Sequence, residues 1–148
     1  VVVAAVSRQL IELLSARLTK AKIKHGLLTG AQTEGERQDA MDDFQAGRVQ
    51  FILITSGAGG TGVTLTAGKY LVRLQRPWSL IEDTQLLRRV RRIGSEKHEM
   101  IIVRDYLSLG TVDYAVVESL DKKGTSFEEI VRDKELLRRA LVSRDPDA

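Results

Sequence analysis

The chain has 148 residues, 43% hydrophobic and 29% charged, which fits one soluble globular domain with a real core. It has no cysteine, so a disulfide framework and a thiolate metal site are excluded and a reducing compartment is expected. The net charge of +3 is compatible with nucleic acid without requiring it, and no apolar run approaches the roughly 20 residues of a membrane-spanning helix.

In chain order, "VVVAAV" (Val1 to Val6) reads as a buried strand. It lacks a basic leader and a cleavage site, so it does not read as a signal peptide. The start without Met suggests a piece of something longer. Leu10, Ile11, Leu14 and Leu18 then recur at helical spacing on one face. "IKHGLLTG" is a short strand ending at Gly30. Thr33 with Glu36 predicts a capping box, opening a helix whose apolar face is Ala40, Met41 and Phe44 and which Gly47 stops.

"VQFILIT" (Val49 to Thr55) is the strongest strand, followed by a glycine-rich loop from Gly57 to Gly62. "KYLVRL" is the next strand. Ser79 with Glu82 predicts a second capping box, and the helix it opens carries Arg88, Arg89, Arg91 and Arg92 and ends at Gly94. "EMIIVRDY" is the last clear strand. Helices follow from about Thr111 to Asp121 and from Ser126 onward, with Ser126 and Glu129 as a third capping box. The tail "SRDPDA" is expected to fray.

This strand–helix alternation predicts one α/β domain, a parallel sheet with helices on both faces. Ligands in such sheets bind at the carboxyl ends of the strands, here after Val6, Leu28, Thr55, Leu74 and Tyr106.

Two stretches carry candidate chemistry. At about 100° per residue, a helix from Ser79 to Ile93 places Gln85, Arg89 and Arg92 within an arc of roughly 60°. Leu86, Leu87, Val90 and Ile93 take the opposite, buried side. Two guanidiniums one turn apart repel unless an anion lies nearby, and arginine suits phosphate oxygens. The bland alternative is a solvated basic face.

The loop "TSGAGGTGVT" is the second stretch. Its glycines and the hydroxyls of Thr55, Ser56, Thr61 and Thr64 can cradle phosphate. Gly57, Gly59 and Gly62 also satisfy the dinucleotide fingerprint G-x-G-x-x-G. Against that reading, the loop follows the third strand, and Gln75 and Arg76 stand where an acidic ribose ligand belongs. It is not a Walker A loop, since no Gly-Lys-Ser/Thr follows. His25 and His98 are isolated and read as surface or loop residues. Asp42 and Asp43 read as helix surface charges.

These segments resemble the C-terminal helicase lobe of Swi/Snf-type ATPases of helicase superfamily two, from about Val1 to Tyr106. "LLTGAQTEGERQDAMDDFQAG" is similar to the segment after the family's second strand, with Gly30, Arg37 and Phe44 in register. "ILITSGAGGTGVTLTAGKYLV" resembles motif V. "RPWSLIEDTQLLRRVRRIG" resembles the tryptophan segment running into motif VI, with its Q-x-x-x-R-x-x-R-I-G core. Three departures stand out. Ser95 replaces the usual Gln, Thr64 the usual Asn of motif V, and "LQRPWS" lacks the acidic residue before the Trp.

The resemblance implies a RecA-like lobe over residues 1–148, with 111–148 as a C-terminal helical extension. It implies that Arg89 and Arg92 reach ATP held by an N-terminal RecA-like lobe of the same polypeptide, with Arg92 as the arginine finger. Gln85, Gly60 and Gly62 would complete the nucleotide side. Ser7, Arg8, Gly30, Thr55, Ser56 and Trp78 would line a DNA track of mostly backbone contacts, with a packing or hinge role for Trp78 equally open. No Walker A lysine or Asp-Glu box occurs here, so Mg2+ is expected on the first lobe, and the fragment alone is expected to be inactive. The absence of long insertions suggests a cytoplasmic bacterial or phage protein, or a nuclear one if eukaryotic. The alternatives are a non-catalytic RecA-like adaptor lobe and, less favoured, a dinucleotide-binding module.

Overall fold

Val2–Ala5 is four small or branched apolar residues with no polar face, and such a strand is stable only when covered on both sides. The structure, a computed structural model describing residues 1–58 and 63–126, places this strand, β1, at the centre of a sheet. The others are β2 (His25–Leu28), β3 (Phe51–Thr55), β4 (Tyr70–Arg73) and β5 (Ile102–Asp105), in the order β2-β3-β1-β4-β5. Every pairing is parallel, so all strand C-termini emerge along one edge.

Side chains alternate across the sheet with period two. Val2, Ala4, Ile52, Ile54 and Leu71 form one apolar layer with Phe44 of α2 (Glu34–Gln45) and Leu86 and Val90 of α3 (Leu80–Val90). Val3, Ala5 and Leu53 face the other way, onto Ile11 of α1 (Arg8–Lys20), with Leu10, Leu14 and Leu18 beside it. The expected parallel α/β sheet with helices on both faces is therefore the fold.

Local chemistry sets the helix starts. Ser7 caps α1, its hydroxyl accepting from Leu10 N at 3.3 Å. Thr33 and Glu36 form the reciprocal box, with Thr33 N donating to Glu36 Oε2 at 2.8 Å and Glu36 N to Thr33 Oγ1 at 3.3 Å. At Ser79 the structure shows the hydroxyl arm, accepting from Glu82 N. Gly47, at φ +73°, turns the chain out of α2. Val49 does not enter β3, because its N–H is used on Asp43 O in the turn that closes α2.

Two helix boundaries differ from expectation. The region from 113 to 126 is one continuous helix, α4, without the break expected after Asp121. Ser126 therefore does not start a new helix; its hydroxyl donates back to Lys122 O at 3.0 Å. Its expected partner Glu129, the remainder of the expected final helix and the tail lie outside the described residues. The other difference, the early end of α3, belongs to the site.

The capping box has a pH signature. Hydrogen bonds from the backbone and then the side chain of Thr33 hold the Glu36 carboxyl below the ordinary glutamate range. A carboxyl lowered in the folded state stabilises above its unfolded pKa, and that contribution is lost as pH falls through the folded value. Glu36→Ala is expected to be less stable than wild type in denaturant titrations at pH 7. The gap should close in acid, below the lowered pKa; a gap that persists there would contradict the assignment.

Candidate functional site

Three segments meet at the sheet edge where the strands end. They are the end of β3 with Ser56, the segment 63–67 after the glycine loop, and the C-terminal part of α3. Thr55 and Ser56 are buried, and Ser56 N extends the ladder to Ala5 O at 2.9 Å. That leaves the Ser56 carbonyl facing α3, where Arg89 Nη1 donates to it at 3.4 Å. Arg89 is only 9% exposed. Burial, and then the nearby charge of Arg37, lower its pKa below the ordinary arginine value.

The helix does not run to Ile93. It stops at Val90, and Arg91 already has the non-helical angles φ −91° and ψ 83°. The cause is a competing donor. Leu65 N bonds Arg89 O at 2.9 Å, the carbonyl that Ile93 N would have used in a continuing helix. Ile93, expected on the buried stripe with Leu86, Leu87 and Val90, is instead 92% exposed. Arg92 correspondingly leaves the shared arc with Gln85 and Arg89. It is exposed, and Nη1 reaches Thr64 Oγ1 at 3.0 Å.

The two arginines thus bracket the glycine loop from opposite ends, Arg89 at Ser56 and Arg92 at Thr64. Thr64 matters here in its own right, since its hydroxyl is what holds Arg92. Gly60 and Gly62 lie outside the described residues. Gln85 is on α3 with Arg89 and is exposed.

The segment behind the loop is pinned by a residue the sequence reading missed. Gln45, at the end of α2, donates to Thr64 O at 3.1 Å and Thr66 Oγ1 at 3.2 Å and accepts from Ala67 N at 2.7 Å. His98 contacts Thr66 O at 3.2 Å, and His25 contacts Ser15 Oγ at 2.7 Å, so both histidines have protein partners. Residues 63–69 contain no helix, so the described part of the loop does not lead into the helix N-terminus that a dinucleotide pyrophosphate requires.

The remaining candidates spread along the same edge. Ser7 caps α1, and its N–H donates to Gln75 Oε1 at 2.9 Å. Arg8 is exposed and paired with Glu12 at 2.6 Å. Gly30 has φ +83°, and a Cβ there would lie 3.8 Å from that of Ala58, so the β2–α2 turn abuts the glycine loop. Trp78 is 55% exposed and is not a core residue; its carbonyl accepts from Lys123 at 3.3 Å. Among the described residues, no cluster of three or more His, Cys, Asp or Glu could hold a metal ion, and no helix is long and apolar enough to cross a membrane.

Beside this edge lies a buried charge cluster that sequence reading also missed. Arg73, in β4, points Nη1 at both Asp83 oxygens, at 2.9 and 3.1 Å, and binds Asp105 through Nε and Nη2. Arg76 Nη2 meets Asp83 at 2.7 Å, with longer 3.8 Å contacts to Asp105 and to Asp121 of α4. Arg73 and Asp83 are only 6% and 3% exposed. The available signal was an arginine in an otherwise apolar strand, which must find a partner. Removing one member leaves buried charge unpaired. Asp83→Ala is expected to lower the unfolding free energy by about 3–5 kcal/mol, read by denaturant titration at neutral pH. A loss of under about 1 kcal/mol would show that the pairing is solvated.

A family model described as the helicase conserved C-terminal domain matches residues 1–94. The chain is 30% identical over 124 residues to the chromatin-remodeling ATPase INO80 of Mycosarcoma maydis, covering 83% of this chain and 6% of that protein. It is 31% identical over 111 residues to the chromodomain-helicase-DNA-binding protein 3 homolog of Caenorhabditis elegans, covering 74% of this chain and 6% of that one. The crystal structure of the C-terminal part of the Fun30 ATPase domain superposes with a TM-score of 0.72 at 17% identity, covering 80% of this chain and 38% of that chain. The chain thus spans a small part of the curated relatives it matches.

Proposed function

The chain belongs to the helicase conserved C-terminal domain family, as a RecA-like lobe of the Swi/Snf type, and from that premise we propose that it is the second lobe of an ATP-driven DNA translocase. ATP, with Mg2+, is held on an N-terminal RecA-like lobe of the same polypeptide. The observation that carries this reading is the bracketing of the glycine loop by Arg89 and Arg92 at the sheet edge.

The two arginines divide the work. Arg89 is buried and bonded to the end of β3, which makes it the residue that ties α3 to the loop. Arg92 is exposed, lies beyond the helix end and rests on a hydroxyl, a weaker hold than a carboxylate. A phosphate oxygen can replace Thr64 Oγ1 and gain a charge-assisted bond, so Arg92 is the finger that neutralises charge developing in phosphoryl transfer. Gln85, one turn before Arg89, faces the same ligand. Gly60 and Gly62 belong to the nucleotide side of this proposal through their place in the motif V sequence.

Ser7, Arg8, Gly30, Thr55, Ser56 and Trp78 form the DNA side. Arg8, the Gly30 backbone and Trp78 make the contacts. Thr55 and Ser56, being buried, act by holding the loop in shape. Such contacts are mainly to phosphate, so sequence preference is low and salt dependence high. The helix at 113–126 braces the lobe, with Lys123 reaching the Trp78 carbonyl. Closure of the two lobes on ATP and release after hydrolysis step the motor along the duplex.

Arg92→Ala, in the polypeptide carrying both lobes, is expected to cut DNA-stimulated ATP turnover by about 10³-fold or more while the melting temperature stays near wild type. The 148-residue chain alone should show no turnover. Wild-type turnover in the Arg92 variant would remove the finger from the scheme. Arg8→Ala should weaken DNA binding evenly across sequences and reduce the slope of log K against log salt by about 1. An unchanged slope would place Arg8 off the track.

A further inference from the structure

α3 is held at both ends by polar contacts to the sheet, and the two ends differ in kind. At its end, Arg89 reaches the Ser56 carbonyl. At its start, Asp83 takes guanidiniums from both Arg73 and Arg76. A rigid helix rises 1.5 Å per residue, so positions 83 and 89 lie about 9 Å apart and a shift at one is transmitted to the other. Apolar contacts alone, through Leu86 and Val90, resist separation of α3 from the sheet but resist sliding along it less well.

We propose that Asp83 and Arg73 are positioning residues for Arg89 of α3 and for Arg92 just beyond its end, fixing the start of the helix so that Arg89 meets Ser56 and Arg92 falls beside Thr64. This rests on the reading of that end of α3 as the nucleotide-facing one. The geometry of Arg73 supports the role. Its fork spans two carboxylates at once, Nη1 on Asp83 and Nε with Nη2 on Asp105, its register partner in β5. It thereby ties the start of α3 to two strands. Lysine, a single point charge, cannot hold both carboxylates in that planar arrangement. A buried ion pair adds little net stability over an apolar core, so stability alone does not account for four charges at this place. Arg76 is the lesser member, since its Nε is buried with no hydrogen-bond partner among the described residues.

Arg73→Lys keeps the charge and removes the fork. In the polypeptide with both lobes, kcat for DNA-stimulated ATP hydrolysis should fall about 100-fold, with KM for ATP changed by less than about twofold. In the 148-residue chain, the Arg89 guanidinium N–H signals should exchange with water faster than in wild type, as measured by NMR. A folded Arg73→Lys with a lower melting temperature but wild-type kcat and an unchanged Arg89 signal would show a purely structural role and overturn the proposal. Should Arg73→Lys not fold, Asp105→Asn, which keeps the side-chain shape and weakens the β5 arm of the Arg73 fork at a partly exposed carboxylate, gives the same two readouts at smaller amplitude and is judged the same way. Absence of turnover in the wild-type polypeptide would sink the motor reading instead, and the Arg89 signal would still decide the positioning role.

Discussion

A central strand with no polar side has to be buried on both faces, and the rest of the molecule follows from meeting that demand. Val2 and Ala4 bury against α2 and α3, while Val3 and Ala5 bury against α1. Covering both faces with helices requires crossovers, crossovers make neighbouring strands parallel, and parallel strands bring their C-termini to one edge. Loops far apart in sequence, after β1, β2, β3 and β4, are thereby gathered into one functional rim. The chemistry of the rim is a consequence of how the core is closed.

The rim is organised around the end of α3. A helix that continued to Ile93 would have kept Arg92 on the same face as Arg89. The Leu65 amide takes the Arg89 carbonyl instead and ends the helix early. One arginine is then buried against the end of β3 and the other lies exposed beside Thr64. The buried arginine joins the end of β3 to the helix, and the exposed one meets a neutral acceptor. Gln45 supports the arrangement from below by holding the backbone from Thr64 to Ala67.

Charge is managed in two ways within a short distance. Arg73 and Arg76 are neutralised internally by Asp83, Asp105 and Asp121, so their positive charge is not presented outward. Arg92 contacts a hydroxyl, a neutral acceptor that leaves its charge uncompensated by that bond. The basic stretch of the sequence therefore does not act as a uniform patch. Within it Arg89 is buried, while Arg88, Arg91 and Arg92 are exposed.

The sequence by itself determined the sheet, the helix faces and the family. Strand alternation, the Leu10, Ile11, Leu14 and Leu18 stripe and the Thr33–Glu36 box are local patterns, and local patterns are written in consecutive residues. The motif core from Gln85 to Gly94 was legible for the same reason. Only the tertiary structure decided where α3 ends, because the donor that stops it comes from Leu65, more than twenty positions away. Only it paired Arg73 with Asp83 and Asp105, which meet across strands and a helix and leave no periodic trace. Spacing along a helix predicts which side chains share a face, but the helix must persist for the prediction to hold. Whether it persists depends on long-range competition for its last carbonyls.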